Sequence, residues 1–412
     1  MFLTKLAFKN LIRHRNRTLI TASIIAFAIF FYIVFDSLIS GMVEMSYNSI
    51  IDYEAGHLQV MNEEYWEEED ELTLDNLMLF DGQVLAGIKD VKGYRADSPE
   101  LNFSALLNNG INELPVIGRG IIPKDFAEVF PLENQFVEGS MFSYGEYKAV
   151  LGKRLADLLQ FETGDYLTLL VKDKDETFNT IEAEVAGLIH TGNSNVNQNV
   201  VYLPLDLVQR ALNVEGQVSK VIIRLENKAH TMKLAKELEH KIKSASASLA
   251  VYSWNELEAV SFAGAKQAGN QLILFIILMI AAIAIINTVI LAALERMTEI
   301  GMMKAMGLRV NEIIFTFVLE STGIGVIGGI AGVLLGLGGV GLMARFGIDF
   351  AALYGFDLGA FGVPVLDKIY GVWNPAAFVE VFVFGVVASL LSSILPAYWA
   401  ADKDPIKAIY HR

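Results

Sequence analysis

The sequence predicts an α-helical membrane protein with four transmembrane helices and a large mixed α/β extracytoplasmic domain between helices 1 and 2. Of its 412 residues, 53% are hydrophobic and the mean hydropathy is positive, whereas a soluble domain of this size is usually less apolar. Four apolar runs are each long enough to cross roughly 30 Å of hydrocarbon. The acidity lies in one block, because residues 41–262 hold 36 acidic and 18 basic side chains and the remainder holds 11 and 14.

The chain begins with a basic segment that leads into the first apolar run. Residues 1–17, which include Lys5, Lys9 and Arg13, are predicted to form a basic helix on the cytoplasmic side. Residues 18–40 follow as the first transmembrane helix. This run is too long for the apolar core of a signal peptide, and no clear cleavage site follows it. We therefore expect a first span that is not removed.

The acidic block, residues 41–265, is predicted to be a mixed α/β domain outside the cytoplasm. The polar and apolar residues of 180–189 alternate, which indicates a strand. Residues 149–152 are predicted to form another strand that leads into a short helix at 153–159. The length of the block suffices for one large core or for two lobes.

An acidic run between Glu63 and Glu71 is the most charged part of this domain. Such a run favours a solvated helix or loop, and the alternatives are cation binding or an acidic docking surface. Tyr65 and Trp66 lie inside the run. We expect them in the core, with contact to an apolar passenger as the alternative.

Three further spans follow the acidic block, with connections of different character. Transmembrane helices are predicted at 266–294, 311–344 and 375–400, a charged connection at 295–310, an outer loop at 345–374 and a tail at 401–412. Basic residues occur in the connection (Arg296, Lys304, Arg309) and in the tail. Because cytoplasmic loops are enriched in Lys and Arg, both termini and the connection at 295–310 are predicted to be cytoplasmic.

The third span is rich in glycine. Its small residues repeat at intervals of four, a pattern typical of close helix packing in membranes, and the residues concerned are Gly325, Gly328, Gly329, Gly332 and Gly336. The expected packing partner is the second span or a second subunit. Glu320 is the acidic residue well inside this run, and a charge in the membrane interior is costly. The sequence favours a Glu320 bonded to a neighbouring element over a role in proton coupling.

The connection at 295–310 has the pattern of a short amphipathic helix rather than of a plain linker. Glu295, Glu299 and Met303 are spaced four apart, so one face is predicted to be charged and the other to carry Met, Ile and Ala. Gly307 is suited to end the helix. A charged helix held between two spans is suited to be moved by another protein, and the alternative is a solvated interfacial helix.

The sequence argues against catalysis on this chain. It contains no cysteine, so thiolate chemistry and disulfides are excluded. It has no phosphate-binding Gly-x-x-x-x-Gly-Lys-Ser/Thr loop, no His-Glu-x-x-His and no Gly-x-Ser-x-Gly. No cofactor and no metal are therefore expected on this chain, and the acidity of the large domain argues against nucleic acid as a partner.

Several motifs resemble one permease superfamily of ABC transporters, which includes the cell-division, the macrolide-efflux and the lipoprotein-releasing permeases. The residues that resemble its coupling helix, where an ABC-type ATPase docks, are Glu295, Arg296, Glu299, Ile300, Gly301, Lys304, Ala305 and Gly307. Gly152, Gly164-Asp165 and Gly187 match its outer domain, and the end Asp404-Pro405-Ile406-Lys407-Ala408 is similar to its terminal signature, with Lys407 where the family commonly has Glu.

The resemblance implies a function as well as a fold. It implies a multi-pass inner-membrane permease that dimerises with itself or a second permease subunit and works with two copies of a separate ATPase, which binds ATP and Mg. Its mechanism would be mechanotransmission. The resemblance is strongest to the lipoprotein-releasing permeases, which implies that the substrate is a lipoprotein passed to a periplasmic carrier. The alternatives are efflux of a drug, peptide or toxin from the periplasm, and regulation of a cell-wall hydrolase without transport.

Overall fold

The computed structural model describes residues 2–13, 15–80, 82–228, 231–246, 248–295, 297–349 and 368–402. Arg296, most of the predicted outer loop and residues 403–412 of the tail lie outside the described residues. The chain forms two units, a membrane unit (Met1–Val43, Lys266–Leu353 and Lys368–Arg412) and an outer domain (Glu44–Ala265).

The helices are α1 (Phe2–Arg13), α2 (Arg15–Ile50), α3 (Glu63–Glu67), α4 (Gly82–Lys89), α5 (Pro123–Val129), α6 (Lys153–Leu159), α7 (Ser194–Asn199), α8 (Leu205–Ala211), α9 (Thr231–Ala245), α10 (Glu258–Leu294), α11 (Met297–Ala305), α12 (Val310–Phe346) and α13 (Pro375–Asp402). The strands are β1 (Leu58–Asn62), β2 (Met78–Leu79), β3 (Tyr94–Asn108), β4 (Glu113–Ile121), β5 (Phe136–Gly139), β6 (Lys148–Gly152), β7 (Tyr166–Lys172), β8 (Phe178–Ile189), β9 (Val200–Pro204), β10 (Gln217–Val218), β11 (Lys220–Leu225) and β12 (Leu249–Ser253).

Four helices are long and apolar enough to cross a membrane. The candidate spans are Thr18–Ala55, Gly269–Leu291, Val310–Phe346 and Pro375–Trp399. The predicted fold class is confirmed: four such helices, with a mixed α/β domain between the first and the second. Pro375 begins α13, where a proline costs no hydrogen bond.

The glycines of α12 lie against the first and the last spans of the same chain. A Cβ placed on Gly328 or Gly332 would approach the carbonyl oxygen of Ala22 or Ala26 in α2 to 2.7 Å. On the α13 side, a Cβ on Gly325 would lie 2.9 Å from the Ser389 side chain. These contacts differ from the expected partners, the second span or another subunit. The reason is that α12 lies between α2 and α13, so both of its small-residue faces are used within the chain.

Glu320 is buried in α12, with 3% of its surface exposed. Its helix begins at Val310, which places Glu320 roughly 15 Å along the helix axis. Glu320 takes part in an interaction within the chain, and the preference for a bonded glutamate over proton coupling stays a prediction.

The outer domain is built on one ten-stranded sheet with the order β12-β1-β11-β3-β4-β9-β6-β8-β5, and β7 pairs with β3 and β8. Most neighbours are antiparallel, while β4 with β9 and β6 with β8 are parallel. Apolar side chains alternate along the strands and fill two cores. The larger core includes Leu101, Phe103 and Leu169, and the other includes Phe126 and Tyr202.

The acidic run is ordered and only partly solvated. It forms α3 and a 3₁₀ turn at Glu69–Glu71. The expectation of a merely solvated segment is wrong for Glu69, whose Oε1 lies 2.7 Å from Nζ of the buried Lys220. Tyr65 is fully buried and Trp66 stacks on Tyr252 with 4.0 Å between ring centroids. Both aromatic residues thus pack within the domain.

Candidate functional site

The short helix α11 lies in the charged connection between two spans and ends in a defined cap. The peptide N–H of Leu308 donates to the Met303 carbonyl (3.2 Å), and that of Gly307 donates to the Lys304 carbonyl (3.0 Å). Gly307 has φ +96°, a left-handed conformation that a side chain disfavours. This pair of bonds is the Schellman motif. The glycine therefore fixes where α11 stops and where the chain turns into α12.

One face of α11 is anchored to the membrane unit. Ile300 is 1% exposed and packs in a cluster with Ile313 and Phe317 of α12 and Ala397 of α13. Gly301, beside it, is also buried. At the start of α12, the Arg309 N–H donates to Glu312 Oε2 (2.8 Å). Ile300 thus joins α11 to two spans through packed side chains, which yield little.

The opposite face of α11 is exposed and carries methionine. Thr298, Met302 and Ala305 of α11 are exposed, and so are Glu295 before the helix and Met306 directly after it, with Met302 at 48% and Met306 at 73%. The sequence predicted methionine on the face opposite the charged residues, and Met302 and Met306 were not among the predicted contact residues. The helical spacing could have identified them, because Met302 and Met306 lie seven and eleven residues after Glu295.

The remaining predicted coupling residues are placed as follows. Glu299 and Lys304 are half-buried and both are engaged within the chain. Gly307 is exposed, and Arg296 lies outside the described residues. Ala305 thus lies on the exposed face of α11, Glu295 is exposed before the helix, and Ile300 and Gly301 lie on the buried face.

The membrane unit also contains a large apolar groove. It has a volume of about 1050 Å³ and lies between α10 and α13. Side chains that line it include Ile286, Ile290, Val383, Leu391 and Trp399. Its walls are almost wholly hydrocarbon, so they suit an apolar occupant such as an acyl chain.

No candidate metal centre accompanies these features. Within the stretches of chain that the structure describes, no three His, Asp or Glu side chains come together as metal ligands. The membrane unit therefore combines an exposed face on α11, closely packed helices and an apolar groove.

Comparison with known families agrees with this arrangement. The model of the MacB-like periplasmic core domain matches residues 18–241, and that of the FtsX-like permease C-terminal region matches residues 272–405. The chain belongs to the FtsX-like and MacB-like family of ABC transporter permeases. The second match contains α11, α12 and α13, so the anchored helix and the glycine-rich span of this permease lie in the family's shared membrane region.

Curated relatives of the permease extend the comparison. The lipoprotein-releasing system transmembrane protein LolC of Xylella fastidiosa is 24% identical over 328 residues, which cover 76% of each chain. The macrolide export ATP-binding/permease protein MacB of Acinetobacter baylyi is 22% identical over 239 residues, which cover 56% of this chain and 33% of that one. Among solved structures, the periplasmic region of MacB from Actinobacillus actinomycetemcomitans matches half of the permease at 12% identity with a TM-score of 0.36.

Proposed function

We propose that this permease is the membrane subunit of an ABC transporter that releases lipoproteins from the inner membrane for transfer to a periplasmic carrier. The observation that carries the proposal is the alignment with LolC, which spans 76% of both chains and includes the outer domain as well as the membrane region. A separate ATPase, in two copies, supplies ATP hydrolysis. The permease dimerises with itself or with a second permease subunit.

The mechanism is mechanotransmission through α11. The ATPase binds the exposed face, where Met302 and Met306 provide adaptable apolar contact. Charge complementarity comes from the charged residues of this segment, which are Glu295, Arg296, Glu299 and Lys304. Closure of the two ATPases moves α11. Because Ile300 is embedded against α12 and α13, these two spans move with it, and α10, which precedes α11 directly in the chain, carries the motion toward the outer domain.

The substrate is proposed to be acylated. The apolar groove between α10 and α13 is large and nearly free of polar lining, which supports binding of hydrocarbon chains at about 0.8 kcal/mol per buried CH₂ group. We propose that the permease lies in the inner membrane, with both termini and α11 in the cytoplasm and the outer domain in the periplasm. The basic residues of the N-terminal segment, the connection at 295–310 and the tail support this orientation.

Efflux of a drug, peptide or toxin is the second candidate. The alignment with the macrolide export protein MacB favours it. That relative's name includes an ATP-binding part, whereas the present sequence has no phosphate-binding loop and matches only 33% of that relative. Efflux by this permease would therefore also use an ATPase on another chain.

A native pull-down of the tagged permease, with mass spectrometry of proteins and lipids, tests the proposal. We expect recovery of one ABC ATPase together with acylated lipoproteins. A periplasmic adaptor without acylated passengers would favour efflux and contradict lipoprotein release. The Met306→Asp variant is expected to recover no ATPase in the pull-down, because a charge replaces an apolar contact. Its matched control is Met232→Asp, since Met232 is exposed to a similar extent, at 56%, but lies in the outer domain.

A further inference from the structure

One acidic side chain, that of Glu380, lies on the wall of the apolar groove between α10 and α13. The other residues that line this groove, within the part of the chain that the structure describes, are uncharged. Glu380 is exposed, and no described residue forms a salt bridge or a hydrogen bond with it. A carboxylate inside a membrane span is costly, and such a residue usually marks the path of a ligand or an ion.

Glu380 lies near one end of the groove. It follows Pro375, the first residue of α13, by roughly 8 Å along the helix axis, and the groove continues from it to Trp399, roughly 28 Å further on. Trp373, just before α13, is 48% exposed and stacks on Phe378 with 6.2 Å between ring centroids. Because exposed tryptophan is enriched at the membrane–water interface, this end of the groove lies near the membrane surface. In the proposed orientation, that surface is the periplasmic one.

A second acidic residue lies close to this end of the groove. Asp36 of α2 is 6% exposed, and its Oδ2 accepts a hydrogen bond from Nδ2 of Asn374 at 3.1 Å. Asp36 and Glu380 are near enough for their charges to interact. Asp36 is thus buried and hydrogen-bonded, whereas Glu380 is open to the groove. Two acidic groups this close favour a cation beside Glu380 and disfavour an anion.

An occupant that suits both features carries a positive charge next to hydrocarbon. A hydrocarbon chain alone would leave the Glu380 carboxylate against a non-polar neighbour, and a small cation alone would leave the apolar walls of the groove uncovered. An N-terminal residue with acylated side-chain atoms and a free α-amino group has both properties. Its α-amino group is largely protonated at neutral pH, because the pKa of such a group is about 8.

We infer that Glu380 selects passengers whose acylated N-terminal residue keeps a free α-amino group. The ammonium group binds the Glu380 carboxylate, and an acyl chain lies along the groove between α10 and α13. The inference rests on the proposed release of lipoproteins and adds which lipoproteins are preferred. A passenger whose α-amino group is itself acylated has lost the charge and binds more weakly. Because hydrocarbon lines the groove beside Glu380, this ion pair is less screened than one fully in water.

The test is competition between two synthetic lipopeptides for the full-length permease in detergent micelles. Both probes carry two acyl chains on an N-terminal cysteine, and one of them is also N-acetylated, so the pair differs in charge and little in hydrocarbon. Native mass spectrometry of an equimolar mixture gives the ratio of the two bound probes. We expect the free-amine probe to be retained at least roughly tenfold over the acetylated one, which corresponds to about 1.4 kcal/mol.

Variants locate the site of this preference. Glu380→Gln keeps the shape of the side chain and removes its charge, so the two probes should be retained equally. Glu215→Gln is the matched control, since Glu215 is exposed in the outer domain, and it should keep the preference. Val387→Trp places a bulky side chain in the groove. It should weaken the binding of both probes and leave their ratio unchanged.

The outcomes separate this inference from the proposed function. Retention of neither probe would contradict the acylated passenger and the inference together. Equal retention of both probes by the unsubstituted permease would overturn the inference alone, and so would an unchanged preference in Glu380→Gln. Phosphatidylethanolamine, added in the same amount, is a third probe. If it displaces the free-amine lipopeptide from the unsubstituted permease, the groove holds an amine-bearing lipid of the bilayer and the inference is overturned.

Discussion

Nζ of Lys220 lies 2.7 Å from Oε1 of Glu69, which joins the middle of the outer-domain sheet to an acidic turn 151 residues earlier in the chain. The Lys220 side chain is 6% exposed and that of Glu69 is 24% exposed. A buried ammonium that loses its carboxylate remains desolvated without compensation. This pair therefore holds the Glu63–Glu71 segment in place.

Glu69→Gln is expected to lower the free energy of unfolding of the outer domain by about 1–3 kcal/mol, because Lys220 keeps a neutral acceptor but loses the opposite charge. The measurement is urea unfolding of the full-length protein followed by circular dichroism. Glu68→Gln is the control, since Glu68 is exposed and a surface change of this kind should stay within about 0.5 kcal/mol. Equal effects of the two substitutions would contradict the structural role of Glu69.

His57 is expected to make the outer domain unstable in acid. Desolvation by burial, with Arg224 and Lys228 near it, lowers the pKa of His57 from 6.5 to about 4, and its Nδ1 accepts the Leu225 N–H at 3.0 Å. Between these two pH values the unfolded chain binds more protons than the folded one, so stability falls as the pH is lowered. The loss from this residue should reach about 3 kcal/mol.

The pH effect is measured as unfolding free energy at a series of pH values. His57→Asn keeps an acceptor for the Leu225 N–H without a titrating ring, so it should remove this part of the pH dependence. His240→Asn should leave it unchanged, because His240 is exposed. A pH slope that is the same in His57→Asn and in the unsubstituted protein would show that His57 is not responsible.

The glycines of α12 allow a matched comparison within one helix. Gly328→Ala should destabilise the membrane unit by about 1–3 kcal/mol, because the new methyl group would meet the Ala22 carbonyl oxygen at 2.7 Å. Gly338→Ala meets nothing within 4 Å and should be neutral or slightly stabilising, since alanine favours a helix over glycine. Thermal unfolding in detergent measures both. A Gly328→Ala protein as stable as Gly338→Ala would argue against close packing of α12 on α2.

The absence of cysteine from the sequence permits a direct test of orientation. Ile111→Cys places a thiol on a hairpin tip in the outer domain, and Met306→Cys places one on α11, at residues that are 88% and 73% exposed. In intact spheroplasts, a membrane-impermeant maleimide should label only Ile111→Cys. After lysis it should label both. Labelling of Met306→Cys before lysis would reverse the proposed topology.

Much of the fold was predictable because it depends on local pattern. The helix predicted at 153–159 coincides with α6 (Lys153–Leu159), and the alternation at 180–189 lies within β8 (Phe178–Ile189). The membrane spans follow from length and composition alone. Four-residue glycine spacing likewise predicted close packing, but spacing does not say which helix approaches, and the contacts proved to be with α2 and α13.

The pairing of Glu100 with Lys220 on the outer-domain sheet was not predictable, because it depends on the register between distant strands. Glu100 and Lys220 are 120 positions apart and meet only through the register of β3 with β11. The periodicity of α11 was visible in the sequence, yet which side faces outward depends on the packing of Ile300 against Phe317 and Ala397. The sequence showed the charges of this helix, and the structure added the exposed Met302 and Met306.

The central claim is that a separate ATPase drives this permease through α11, and ATP hydrolysis by the reconstituted complex tests it most directly. The double charge reversal Arg296→Glu with Glu299→Lys should abolish the stimulation of the ATPase by the permease and leave the permease folded. The control is Lys172→Glu with Glu176→Lys, which reverses an exposed pair in the outer domain and should leave stimulation unchanged. Full stimulation in the α11 variant would contradict the account.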